Sequence, residues 1–190
     1  MTTEQKFLAI MFVDVRGSTR LYELYGDKRG RELTAWSVKI FDHYVSYYGG
    51  TVIKTMGDGA MATLPSAEDA VRTAIAVQEA HAQAPVNVGV GFQIGNVLSE
   101  GGDVFGDAVN VAARLCSLAK SGEILTTEEA VKRFPPDLRN ATRHIDTTTV
   151  KGRREEIKIY QVLWNQDEEQ TVTIMDGMAP SRQSRRGSIL

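Results

Sequence analysis

The run FLAIMFVDV, residues 7–15, is apolar at every position but one, an aspartate next to its end. An unbroken apolar stretch of this length, rich in β-branched and aromatic side chains, fits a strand buried inside a sheet. It falls short of the roughly 18–20 apolar residues that would span a bilayer. A strand of this kind needs other strands beside it and helices to cover it.

From Gly17 to about Tyr48 the spacing of Leu21, Leu24, Leu33, Trp36, Ile40 and Tyr44 is helical, with a break around Gly26-Asp27 and a stop at Gly49-Gly50. TVIKTM (51–56) and AMATL (60–64) flank Gly57-Asp58-Gly59, a hairpin signal because glycine permits positive φ. Ser66 is placed to cap an alanine-rich helix to about Ala84, with Asp69 in its first turn. VNVGVGFQIGNVL (86–98) predicts a strand. Within VFGDAVNVAARL (104–115), a loop ending at Gly106-Asp107 leads into a helix. GEILTT (122–127) predicts a strand, followed by a short helix that Thr126 and Glu129 would cap. Residues 143–150 and 157–164 read as a closing strand pair around Lys151-Gly152.

Strands alternating with helices, with hairpins among them, indicate an α+β fold: one sheet, ferredoxin-like or palm-like, with helices packed on it. The 190 residues suffice for one domain, expected over 1–165. Residues 166–190 turn acidic and then Ser/Arg-rich, ending in RRGSIL, and read as a poorly ordered tail or linker toward a C-terminal regulatory domain or protein partner. A net charge of −2 gives no bias toward nucleic acid or an anionic membrane, so neither is expected as a partner. The N-terminus shows no signal-peptide pattern. Cys116 is the one cysteine, which points to a reducing, cytoplasmic setting and a buried, inert thiol.

Two acids stand where acids are costly. Asp14 closes an apolar strand, and Asp58 sits in the turn between two more. Each alone has an ordinary explanation, a helix cap or a turn residue. As a pair at neighbouring strand ends they would repel unless a hard divalent cation lay between them and substrate phosphates. Val15-Arg16-Gly17-Ser18-Thr19 then runs into a helix whose first N–H groups make an anion site. The Gly-Lys-Ser/Thr ending of a Walker A loop is absent, and the GVG at Gly89 and Gly91 lies within a strand, where close backbone packing is the better reading. In the helix that follows Gly106-Asp107, Asn110 and Arg114 are four apart on one otherwise apolar element and so share a face.

FVDVRGST (12–19), VIKTMGDGAM (52–61) and GDVFGDAVNVAAR (102–114), with VKG at 150–152, together resemble the class III nucleotidyl cyclase catalytic domain from about Leu8 to Trp164. The resemblance implies conversion of a nucleoside triphosphate to a 3′,5′-cyclic monophosphate and pyrophosphate, between two domains packed head to tail as a homodimer. It assigns Asp14 and Asp58, with Val15 beside them, to two Mg²⁺ or Mn²⁺ ions per site. It assigns Lys54 and Asp103 to the purine, Asn110 to the ribose, Arg114 to the transition state and Lys151 to the terminal phosphates. Gly17, Ser18 and Thr19 fall on the phosphate-binding turn. The metal pair comes from one chain and the other residues from its partner.

A carboxylate accepts from the N6 amino group of adenine and an ammonium donates to N1, so Lys54 and Asp103 favour ATP over GTP. The chain departs from many members by Ser18 in place of Phe and by a short span between Gly95 and Asp103, which predicts a weaker dimer. Two rivals remain: a guanylate cyclase, and a regulatory module that binds nucleotide without turnover. EGGDVF (100–105) also resembles the diguanylate cyclase signature, but Val104 replaces its second acid; in that family the segment would form a hairpin.

Overall fold

The computed structural model describes residues 4–149 and 156–165. The apolar run lies in β1 (Glu4–Arg16). Helix α1 (Ser18–Tyr47) is broken at Gly26, where φ 74 and ψ 165 are not helical, as the Gly26-Asp27 break predicted. β2 (Thr51–Met56) and β3 (Gly59–Leu64) form the expected hairpin. Helix α2 (Ala67–His81) is capped by Ser66, whose hydroxyl accepts the Asp69 N–H at 3.1 Å, and it ends short of Ala84. β4 (Asn87–Glu100), β5 (Asp103–Phe105) and α3 (Asp107–Leu118) follow. The chain continues through β6 (Ile124–Thr127), α4 (Glu128–Val131), α5 (Pro136–Asn140), β7 (Thr142–Thr149) and β8 (Glu156–Val162).

Among the described residues, one sheet has the order β2-β3-β1-β4-β6-β8-β7, with β5 paired to β4. Its first half, β1-α1-β2-β3-α2-β4 in the order β2-β3-β1-β4, is the ferredoxin-like arrangement. β1 is central, antiparallel to both β3 and β4. The β4–β6 pair is parallel and is bridged by α3.

Side-chain alternation along β1 divides the core into two layers. Ala9, Met11, Val13 and Val15 pack in a large cluster with α1 and α2, including Phe41, Val45, Val71 and Val77. Ile10 packs on the other face with Met61, Val104 and the α3 residues Ala108 and Ala112. Gly91 permits the closest contact of that second layer. A Cβ there would stand 2.0 Å from the Cys116 backbone nitrogen, so only glycine lets α3 lie directly on β4.

Two expectations change, and two features come from the fold alone. The 100–105 segment is not a loop: Gly101 and Gly102, at φ 61 and 85, make a two-residue turn that folds β5 back on β4 with Glu100 opposite Asp103. The hairpin reserved for the diguanylate alternative therefore forms, yet it leads into α3. Thr127 rather than Thr126 caps α4, accepting the Ala130 N–H, while the Thr126 hydroxyl donates to the Phe92 carbonyl. Helix α5, which opens on Pro136, was not expected. β2 is not a core strand; it lies at the sheet edge, half-buried to exposed. Among the described residues, no helix is long and apolar enough to cross a membrane.

Candidate active site

Antiparallel pairing of β1 with β3 sets Asp14 opposite Gly59, one residue beyond Asp58. The Val15 N–H donates to the Asp58 carbonyl at 3.3 Å and pins the turn against β1. The two carboxylates meet as the sequence predicts. Burial pushes the Asp14 carboxyl above the usual carboxylate range, the Asp58 charge adds to this, and Arg16 opposes it. Among the described residues, no group of three or more His, Cys, Asp or Glu side chains converges. A metal at this pair would therefore complete its shell with water, backbone or phosphate oxygens, the donor set that Mg²⁺ and Mn²⁺ accept.

Gly17 adopts φ 66 before α1, and no side chain caps the first turn, which also holds no acid. The N–H groups of Ser18 and Thr19 are thus left for an anion. A cleft of about 730 Å³ opens beside them, lined by Ser18, Tyr22, Gly57 and Asp58 and by two cations, Arg31 and Lys39. These last two are separated from the motifs in sequence and were not predicted; along a straight helix Lys39 would stand about 30 Å from Ser18, so the break of α1 at Gly26 is what lets both line one cleft with Asp58.

Lys54 and Asp103, forty-nine positions apart, form an ion pair of 2.7 Å between β2 and β5. The second Asp103 oxygen accepts the Val104 N–H at 2.8 Å. The Lys54 hydrogen bond, and then the backbone one, hold the Asp103 carboxyl below its usual range. Lys54 is in register with Met61, whose side chain packs in the α3 layer, so the pair stands on the α3 side of the sheet. Asp14, in phase with Ile10, faces the same side.

Asn110 and Arg114 lie on the exposed face of α3, opposite the buried Ala108, Val111, Ala112 and Leu115. Among the described residues neither has a hydrogen-bond or ion-pair partner in its own chain. Lys151 lies outside the described residues. Sequence reading overlooked Arg16. Its Nη1 donates to the Asp14 carboxylate at 2.7 Å and its Nη2 to the Cys116 carbonyl on α3. The i, i+2 spacing in a strand would have signalled the first contact. Cys116 is buried, and that burial pushes its thiol up to about 11, the inert state expected.

The adenylate and guanylate cyclase catalytic domain model matches residues 2–164. A putative adenylate cyclase 3 of Rhizobium meliloti (strain 1021) is 33% identical over 132 residues, taking in 65% of this chain and 22% of that protein. An adenylate cyclase of Streptomyces coelicolor is 33% identical over 120 residues, 62% of this chain and 32% of that one. The chain thus spans less than a third of the length of these curated relatives. The crystal structure of an adenylate/guanylate cyclase/hydrolase from Silicibacter pomeroyi aligns with a TM-score of 0.76 at 28% identity, over 85% of this chain and 99% of that one. That of the adenylyl cyclase CyaB from P. aeruginosa aligns with a TM-score of 0.69 at 26% identity, over 85% and 96%. With the match running from residue 2 to 164 and the sheet shared along most of that length, this chain belongs to the adenylate and guanylate cyclase catalytic domain family, the class III nucleotidyl cyclases.

Proposed function

We propose that the chain is an adenylate cyclase, converting ATP to 3′,5′-cyclic AMP and pyrophosphate at composite sites in a head-to-tail homodimer. The observation that carries this reading is the ion pair of Lys54 with Asp103, held ready on the α3 side of the sheet that also bears Asp14. Adenine offers an N1 acceptor to the Lys54 ammonium and an N6 donor to the Asp103 carboxylate; guanine presents the opposite polarity at both positions. The names of the Rhizobium and Streptomyces relatives support the same choice.

Asp14 and Asp58 hold divalent ions, which when bound supply charge neutralisation and a lowered pKa for the ribose 3′-hydroxyl. Gly17, Ser18 and Thr19 present backbone N–H groups to the phosphates. Lys151 takes the terminal phosphates. Asn110 orients the ribose so that O3′ stands in line with the α-phosphorus, and Arg114 faces the charge growing on the α-phosphoryl oxygens. Asn110 and Arg114 are exposed and unpartnered within the chain among the described residues, as groups that serve a neighbouring subunit would be. The apolar pair Leu98 and Phe105, cross-strand neighbours on the β4–β5 arm and each about half exposed, suits burial against that subunit.

The test is cyclic nucleotide formation from ATP and from GTP with Mn²⁺, for the wild type, Asp14→Ala, Arg114→Ala and an equal mixture of the two variants. Turnover of ATP, dead single variants and recovery in the mixture support the reading. Product from GTP alone favours a guanylate cyclase, and ATP binding without any product leaves a regulatory module.

A further inference from the structure

Arg16 ends β1 with its side chain laid across β4 toward the last turn of α3. Nη1 holds Asp14 at 2.7 Å, Nη2 donates to the Cys116 carbonyl, and Cys116 Sγ lies 3.9 Å away. The space is built for it. Gly89 is the register partner of Asp14, and a Cβ there would stand 2.4 Å from Arg16 Nε and 2.6 Å from Nη2. Two residues on, Gly91 makes the matching room for the Cys116 backbone. One glycine therefore seats the guanidinium and the next seats the helix it grips. Among the described residues Nε is buried and without a partner, a cost that a purely structural side chain would rarely carry.

The Cys116 carbonyl belongs to the last turn of α3, where the helix dipole is negative and a cation is favoured. Arg114 is two residues earlier on that helix. The geometry points to Arg16 as a positioning residue that fixes Asp14 and the Asn110/Arg114 helix to each other and so couples the two active sites of the dimer. This rests on the composite-site reading: Asp14 of one chain serves one site, and Asn110 and Arg114 of the same chain serve the other. The planar fork of arginine reaches both anchors at once, whereas a lysine ammonium reaches only one.

The experiment uses mixed dimers of Asp14→Ala with Arg114→Ala chains, which have one live site. That site takes Asp14 from the Arg114→Ala chain and Arg114 from the Asp14→Ala chain. Arg16→Gln is placed in either chain. In the Arg114→Ala chain it loosens the live Asp14, and the half-saturating Mn²⁺ concentration rises several-fold. In the Asp14→Ala chain Arg16 has only α3 to hold, and kcat falls about tenfold or more with Mn²⁺ half-saturation and KM unchanged. Arg16→Lys, able to keep the Asp14 contact alone, retains Mn²⁺ binding by electron paramagnetic resonance with a non-hydrolysable ATP analogue but keeps the kcat loss. Gly89→Ala, which displaces the native guanidinium, reproduces Arg16→Gln. Full activity with Arg16→Gln in the Asp14→Ala chain overturns the coupling and leaves Arg16 a counter-ion. Losses that track a lower melting temperature or dimer dissociation, and that Arg16→Lys restores, overturn it in favour of a structural role. No activity in the parent mixture without any Arg16 change defeats the composite-site reading itself, and the coupling with it.

Discussion

The ammonium of Lys54, on the edge strand β2, lies 2.7 Å from the carboxylate of Asp103, on the short strand β5. Both side chains are partly exposed to solvent, so the pair adds little to stability. On the proposed reading its value is orientation: each group presents the other, already charged, to an incoming base. Lys54→Met should leave the melting temperature almost unchanged and lower kcat/KM for ATP about tenfold or more, the cost of one unmet polar contact at a specificity site. Lys54→Glu should raise the GTP-to-ATP ratio of turnover. Rates with both nucleotides, beside a thermal melt, check both outcomes; a large drop in melting temperature would make the pair structural instead.

The Asp14–Asp58 pair should cost stability at neutral pH. Asp14 has its folded-state pKa raised above 3.8, so the folded protein binds its proton more readily than the unfolded chain. That contribution stabilises at acid pH and is lost as pH rises through the raised value. Asp58→Asn, which removes the repelling charge, should therefore hold or raise the melting temperature at pH 7 while abolishing turnover. Mn²⁺ with a non-hydrolysable ATP analogue at about 100 times its Kd should stabilise the wild type by about 2.7 kcal/mol and the variant far less. Differential scanning fluorimetry with and without Mn²⁺ measures both effects.

Gly91→Ala should be among the most damaging single-methyl changes in the chain. Its Cβ would fall 2.0 Å from the Cys116 nitrogen, with backbone on both sides and no flexible side chain to give way. Overpacking of this kind costs about 1–3 kcal/mol or more, and here the strain moves α3. Urea unfolding should show the loss, and activity should fall further than stability because Asn110 and Arg114 travel with the helix.

His81 should make the protein acid-sensitive. It is buried between the two helices on the α1/α2 face, with Nδ1 2.6 Å from the Val77 carbonyl and Nε2 2.8 Å from the Ser37 hydroxyl. The carbonyl can only accept, so Nδ1 carries the proton and Nε2 accepts from Ser37 in the neutral ring. Burial lowers its pKa below 6.5. Below that pH the unfolded chain takes up a proton that the folded one resists, so stability is full above 6.5 and declines as pH falls toward the folded value. Urea midpoints from pH 7.5 to about 5 should slope accordingly, and His81→Gln should flatten the slope.

Most of the fold was legible because its signals are local. The apolar run of β1, the Gly57-Asp58 turn, the Ser66 cap and the Gly49-Gly50 stop each act through a few adjacent residues. What escaped depends on distant neighbours. The register against β4 decides that 103–105 is a strand, and the hydroxyl of Thr126 is spent on the Phe92 carbonyl, which leaves the cap to Thr127. TVIKTM is apolar enough for a core strand, but only the sheet order sets it at an edge.

For the site, the sequence by itself determined which side chains could do chemistry. A carboxylate, an amide or a guanidinium brings its own hydrogen-bonding groups into any fold, and the helical spacing of Asn110 and Arg114 put them on one face before any fold was known. Only the tertiary structure decided which of them meet. Antiparallel pairing joined Asp14 to the Asp58 turn, and the Gly101-Gly102 turn carried Asp103 to Lys54. Two glycines on β4 let Arg16 reach across to α3. Those contacts depend on register and on the absence of a single Cβ, quantities fixed by packing over many residues, and no short stretch of sequence contains them.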